Sequence, residues 1–141
     1  MSESTNEVRE LIDAFAASLD GRRLDEWLSL FTEDGYYACA RRVEFEQGNN
    51  VVLIGEDMKR LRARCKSGLI QDKRRMVHMI NGVRADGATA TAVFALWYDG
   101  VATYAGHYQF DLAHSGLKLM IRRCTAILDN EVITAPIYLP I

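Results

Sequence analysis

The sequence predicts an α+β domain in which three N-terminal helices pack on a strongly curved, mostly antiparallel sheet. Apolar residues recur at helical intervals through the first part of the chain and alternate at strand intervals through the second half. Three two-residue turn signals in that second half, Asp86-Gly87, Asp99-Gly100 and Ser115-Gly116, are spaced to join four strands as consecutive hairpins. A chain of 141 residues fits a single domain, residues 1–141. It buries about two thirds of its unfolded surface, enough to fold without a disulfide or a metal.

Ser4 to Glu7 ("STNE") has capping-box spacing, and Val8, Leu11, Ile12, Phe15 and Leu19 then mark helix one up to Asp20-Gly21. Leu24, Trp27, Leu28 and Phe31 repeat the pattern as helix two, which Thr32-Glu33-Asp34-Gly35 is expected to end as a turn. A strand is expected through "YYACARRVEFE" from Tyr36 to a polar turn at "QGNN", followed by a short apolar strand, Val51 to Ile54. Met58, Leu61 and Cys65 form the apolar stripe of helix three, expected to stop near Gly68. The four meander strands are expected at 74–85, 88–98, 101–113 and 117–129. The third alternates cleanly: Ala102, Tyr104, Gly106, Tyr108, Phe110 and Leu112 share one face, and Thr103, Ala105, His107, Gln109 and Asp111 the other. The first two are apolar on both faces, which calls for helices on one side and another chain, or an enclosed cavity, on the other. Helices followed by such a meander resemble the cone-shaped fold of nuclear-transport-factor-2-like proteins.

Composition excludes several classes of function. Hydrophobic residues at 49% and charged residues at 26% are an ordinary globular balance, and a net charge of −2 provides no footprint for nucleic acid. No apolar run is long enough to span a membrane, and the polar N-terminus lacks signal-peptide or transit-peptide character. Cys39, Cys65 and Cys124 lack ligand spacing and read as reduced, buried thiols, so a cytoplasmic protein is expected.

Few residues suggest chemistry. Asp34, near the expected rim of the cone, and His78, mid-strand in "RRMVHMINGV", form a candidate acid-base pair, because a carboxylate that orients an imidazole makes a general base near neutral pH. The plainer account is that Thr32, Glu33 and Asp34 end a helix and His78 is a hydrogen-bonded sheet residue. Trp27, Trp97, Tyr104 and Tyr108 are candidates for an aromatic pocket, or for plain core and interface. His78, His107 and His114 do not have the spacing of an iron site, so no metal is expected. The basic helix "KRLRARCK" spreads its charge around its circumference and reads as solvated. Neither a phosphate-binding glycine loop nor a nucleophile elbow is present. The tail, Asn130 to Ile141, is apolar and carries both prolines. It is expected to dock as an extended segment at a subunit interface, the alternative being packing across the chain's own helices.

The segments "RLDEWLSLFTEDGYY", "DMKRLRAR", "RRMVHMINGVR", "YAGHYQFDL" and "IRRCTAILDNEVITAPIYLPI" together resemble the small, or beta, subunit of bacterial aromatic-ring-hydroxylating dioxygenases, in order along nearly the whole chain. The resemblance implies a non-catalytic partner of a large (alpha) subunit in aromatic compound catabolism. The Rieske iron–sulfur cluster and mononuclear iron would sit on that large subunit and no cofactor on this chain. It also implies self-association as a trimer within a hetero-hexamer, with Pro136, Ile137, Tyr138 and Leu139 as interface residues. The alternative is a stand-alone cone-fold dehydratase, isomerase or hydrolase working through Asp34 and His78.

Overall fold

The first helix, α1 (Glu3–Asp20), presents Val8, Leu11, Ile12, Phe15 and Leu19 on one face, and all five are buried. A computed structural model describes residues 3–48 and 51–141. The side chain of Ser4, and with it the expected capping box, lies outside the described residues, as do Asn49 and Asn50 of the expected turn. After α1 come α2 (Leu24–Ser29), β1 (Phe31–Arg41), α3 (Arg42–Glu46), β2 (Ile54–Asp57) and α4 (Met58–Gln71). The meander follows as β3 (Met76–Asp86), β4 (Thr89–Tyr98), β5 (Val101–Ser115) and β6 (Lys118–Leu128). The sheet order is β2-β1-β6-β5-β4-β3, antiparallel throughout except where β1 lies parallel to β6. This is the expected α+β architecture, with helices on the concave face of a curved six-stranded sheet.

The three hairpins form where the turn signals stand, and Gly87, Gly100 and Gly116 all take positive φ, which glycine adopts without steric cost. The N-terminal half departs from expectation in four places. Helix α2 ends at Ser29, and Thr32-Glu33-Asp34-Gly35 is a bulge inside β1 and not a helix-ending turn. Phe31 pairs with Ile121 and Tyr36 with Arg123, so β1 advances five residues while β6 advances two. A Cβ at Gly35 would lie 2.9 Å from the Thr32 carbonyl oxygen, which explains the glycine. The expected strand through Arg42–Glu46 is instead helix α3, favoured by ion pairs at helical spacing, Arg41 with Glu44 and Arg42 with Glu46. The expected strand at Val51–Ile54 is shifted onward: β2 begins at Ile54, opposite Cys39, and Val51, Val52 and Leu53 are exposed. Helix α4 is capped by Asp57, whose carboxylate accepts the Arg60 N–H at 3.0 Å. It runs past Gly68 to Gln71, because that glycine serves a packing contact and not a helix stop.

Large and small residues alternate across the inner face of the sheet. Tyr108 lies between Ala92 of β4 and Ala126 of β6, and Phe94 is opposite Gly106. The rings therefore project into the cone without colliding, and Phe15 of α1 closes on them, 5.2 Å from Tyr108 and 5.5 Å from Phe110 between ring centroids. Phe94 stacks on Tyr108 at 4.2 Å. Truncating the ring at the centre, Phe15→Ala, is expected to cost about 3–5 kcal/mol, read as a lower midpoint in urea unfolding. The exposed Ile70→Ala is expected to change stability by less than about 0.5 kcal/mol.

Candidate functional site

The inner face of the cone brings together some of the sequence candidates and separates others. Trp27, Tyr104 and Tyr108 are buried in the interior, with Trp27 5.5 Å from the ring of Phe15. Trp97 is on the opposite face of β4, beside Val77 of β3, and does not join them. The interior aromatics pack on neighbouring rings. An apolar groove of about 460 Å³ lies between α2 and α4, floored by Leu24, Leu28, Phe31 and Leu69 and rimmed by Asp25, Glu33, Arg62 and Lys66, and none of the four aromatic candidates borders it.

Asp34 and His78 are not paired with each other. Asp34 is exposed at the β1 bulge, where the Thr32 hydroxyl donates to its carboxylate at 2.7 Å and holds it below its usual pKa. The carboxylate that reaches His78 is Asp20, at the end of α1. One oxygen accepts the His78 backbone N–H at 2.8 Å and the other lies 2.5 Å from Nδ1. A carboxylate only accepts, so in the neutral ring Nδ1 carries the proton and Nε2 keeps its lone pair. The imidazole is fully buried, and Nε2 has no partner among the described residues. Sequence reading missed Asp20 because it is 58 residues from His78 along the chain. One signal was available: an acid at a helix C-terminus opposes the helix dipole unless something else holds it.

Three more buried polar atoms lack partners among the described residues: Trp27 Nε1, Tyr98 Oη and Tyr108 Oη. Burial raises the pKa of both tyrosines, and it pushes the Cys39 and Cys65 thiols up to about 12. His107 faces outward near Arg42, and His114 is at the end of β5 beside Glu7. Among the described residues no three His, Cys, Asp or Glu side chains gather as a metal site requires, and no helix is long and apolar enough to cross a membrane.

The tail packs across β1, β5 and α4. Leu139, Pro140 and Ile141 are buried, Ile137 is half-buried, and Pro136 and Tyr138 are exposed. Leu139 seats on α4 at Gly68, where a Cβ would lie 2.6 Å from it. In this chain the tail docks on its own body and Leu139 is taken up inside, while Pro136 and Tyr138 stay exposed. Asp72 anchors the mouth: its buried carboxylate holds Arg74 at 2.8 Å and also pairs with Arg22. Arg74 in turn lies over the Tyr98 ring and donates to the Pro136 carbonyl at 2.7 Å.

The sequence model of the SnoaL-like domain matches residues 1–124. The chain belongs to the SnoaL-like domain family. Among solved structures, the beta subunit of a provisionally assigned aromatic-ring-hydroxylating dioxygenase from Novosphingobium aromaticivorans superposes with a TM-score of 0.80. It has 22% identity, with 90% of each chain covered. The beta subunit of benzoate 1,2-dioxygenase from Burkholderia mallei superposes at 0.71, with 19% identity and 93% of each chain covered. A provisionally assigned scytalone dehydratase from N. aromaticivorans superposes at 0.68, with 16% identity and 93% of each chain covered. No match was found among curated proteins. At these identities the likeness establishes the SnoaL-like fold, which dioxygenase beta subunits and dehydratase-like proteins share.

Burial favours the protonated form of Asp72, but its hydrogen bonds and the charges of Arg74 and Arg22 outweigh that and hold its pKa below the usual value. A carboxylate that binds protons less readily folded than unfolded contributes stability that is complete above its unfolded pKa near 4, and lost as pH falls through the folded value. The urea midpoint of the native chain is therefore expected to fall more steeply below about pH 4 than that of Asp72→Asn. The variant should be the less stable of the two at pH 7.

Proposed function

We propose that this chain is a non-catalytic beta subunit of a Rieske-type aromatic-ring-hydroxylating dioxygenase, a scaffold for a large subunit that carries the iron–sulfur cluster and the mononuclear iron. The observation that carries this reading is the contrast between the two faces of the sheet. On the inner face Phe15, Phe94 and Tyr108 pack against one another and Leu139 and Ile141 of the tail are buried. The outer face of β3 and β4 exposes Val77, Met79 and Val93 around Ala95 and Trp97. An apolar patch with an aromatic residue within it is characteristic of a protein interface. Two of the superposed relatives are described as dioxygenase beta subunits, which supports the class of partner. In this reading the outer face packs against other copies of the chain in a trimer, and the trimer supports the large subunits.

Co-expression with dioxygenase large subunits, beginning with the benzoate 1,2-dioxygenase type, tests the reading by sizing and native mass. A mixed assembly is expected, and failure of every large subunit tried to bind would overturn it. Met79→Lys with Val93→Lys is expected to reduce self-association to monomer. Because both positions are exposed, each change should alter stability by no more than about 0.5 kcal/mol. Retention of the trimer would place the interface elsewhere.

One observation favours a second reading, an acid-base enzyme of the same fold. His78, oriented by Asp20 with Nε2 facing the cone interior, has the geometry of a general base. Here Asp20 replaces Asp34 as the orienting acid. In this reading a dehydration or isomerisation measured with the purified chain is lost in His78→Gln and at least tenfold slower in Asp20→Asn, a loss of at least about 1.4 kcal/mol in barrier. Turnover unchanged in both variants removes it.

A further inference from the structure

We propose that the mouth of the cone is a recognition cleft for an extended apolar peptide, and that the tail of a second copy of this chain can occupy it in place of the chain's own. This goes beyond the assembly reading and does not depend on a large subunit.

The tail is held as a bound peptide is held. The Tyr104 hydroxyl accepts the Ala135 N–H at 3.1 Å and donates to the oxygen of the same residue. The Tyr37 hydroxyl does the same at Ile141, accepting its N–H at 2.9 Å and donating to its backbone oxygen at 2.7 Å. Each tyrosine thus satisfies both polar groups of one residue, which is what a neighbouring strand provides in peptide recognition at a sheet edge. Between them Arg74 takes the Pro136 carbonyl, and Leu139 and Ile141 insert at 2% and 0% exposure.

None of these contacts requires the tail to belong to the same chain. The connector that follows β6 has neither helix nor strand, and Glu131, Val132 and Thr134 are exposed. It is held by the Asn130 amide, bonded to Thr103 and Ala105, by Arg41, bonded to the Glu131 carbonyl, and by half-buried Ile133, which packs on the core. Exchange between copies preserves the contacts of residues 135–141 in the cleft and changes the path of residues 129–134, a short hinge of the kind through which segment swapping costs little. The occupant is a second copy because the fit is to this segment: Gly68 leaves the space Leu139 fills, and the two tyrosines are spaced to bond Ala135 and Ile141.

Cross-linking tests this directly. Gln71→Cys, at the exposed end of α4, and Tyr138→Cys, in the tail, border the same surface recess. They are placed on separate full-length chains, which are mixed, incubated below the unfolding temperature and treated with a flexible bis-maleimide. The native cysteines are all buried and stay unreactive. The expected product has twice the chain mass and contains one of each variant. It should be lost when the Tyr138→Cys chain also carries Leu139→Asp, and outcompeted by a synthetic peptide of residues 134–141. A single chain carrying both cysteines reports that the cleft is folded and within reach. The proposal is overturned if only that doubly substituted chain cross-links, or if the double-mass product survives both Leu139→Asp and the peptide. Binding of a large subunit is measured separately, so either reading can fail alone.

Discussion

The packing of α1 into the concave face of the sheet is the constraint on which the rest of the molecule depends. A sheet that curves this strongly leaves an interior that water would otherwise fill, and Phe15 occupies its centre against Trp27, Tyr108 and Phe110. That placement sets the other choices. Alanines flank Tyr108 on both neighbouring strands so that the ring has room, and glycine at 106 allows β5 to pass close to the Ile127 backbone. The position of α1 also brings Asp20 to His78. The carboxylate–imidazole pair is thus a consequence of the core packing as well as a candidate for chemistry.

The C-terminal half was legible in the sequence because its pairings are local. Asp86-Gly87, Asp99-Gly100 and Ser115-Gly116 each join strands that pair with their immediate neighbour, so turn chemistry and two-residue alternation agree. The N-terminal half was less legible because its strand pairs at long range. The segment Thr32–Gly35 has every local mark of a turn, yet β6 draws it into a strand as a bulge. In Arg42–Glu46 the apolar residues alternate as in a strand, but the charges pair at helical spacing and prevail. Of the candidate site, His78 was legible as a chemically able residue in the interior, while its partner was misassigned. The extended form of the tail could be read from its prolines, but not its seat, since nothing local to Gly68 marks it as the receptor for a side chain 71 positions away.

The two faces of the sheet separate two kinds of work. The interior holds polar atoms with no partner among the described residues, at Trp27, His78, Tyr98 and Tyr108, among close-packed rings. Unpaired groups of this kind cost stability and are few in native proteins. The outer face carries the opposite imbalance, with apolar side chains bare to water at Val77, Met79 and Val93. Within one fold, the two faces therefore place their uncompensated groups in opposite ways, polar atoms inside and apolar side chains outside.

The parallel seam between β1 and β6 has a consequence for how the protein is made. Phe31 pairs with Ile121, ninety positions later, so at ordinary translation speeds the first strand leaves the ribosome roughly 5–20 s before its mate. During that interval α1 can pack on α2 and β3, and β1 on β2 and α4, but the edge of β1 that faces β6 has no strand beside it. The sheet therefore stays open along the β1 edge until the last strand of the chain has been made.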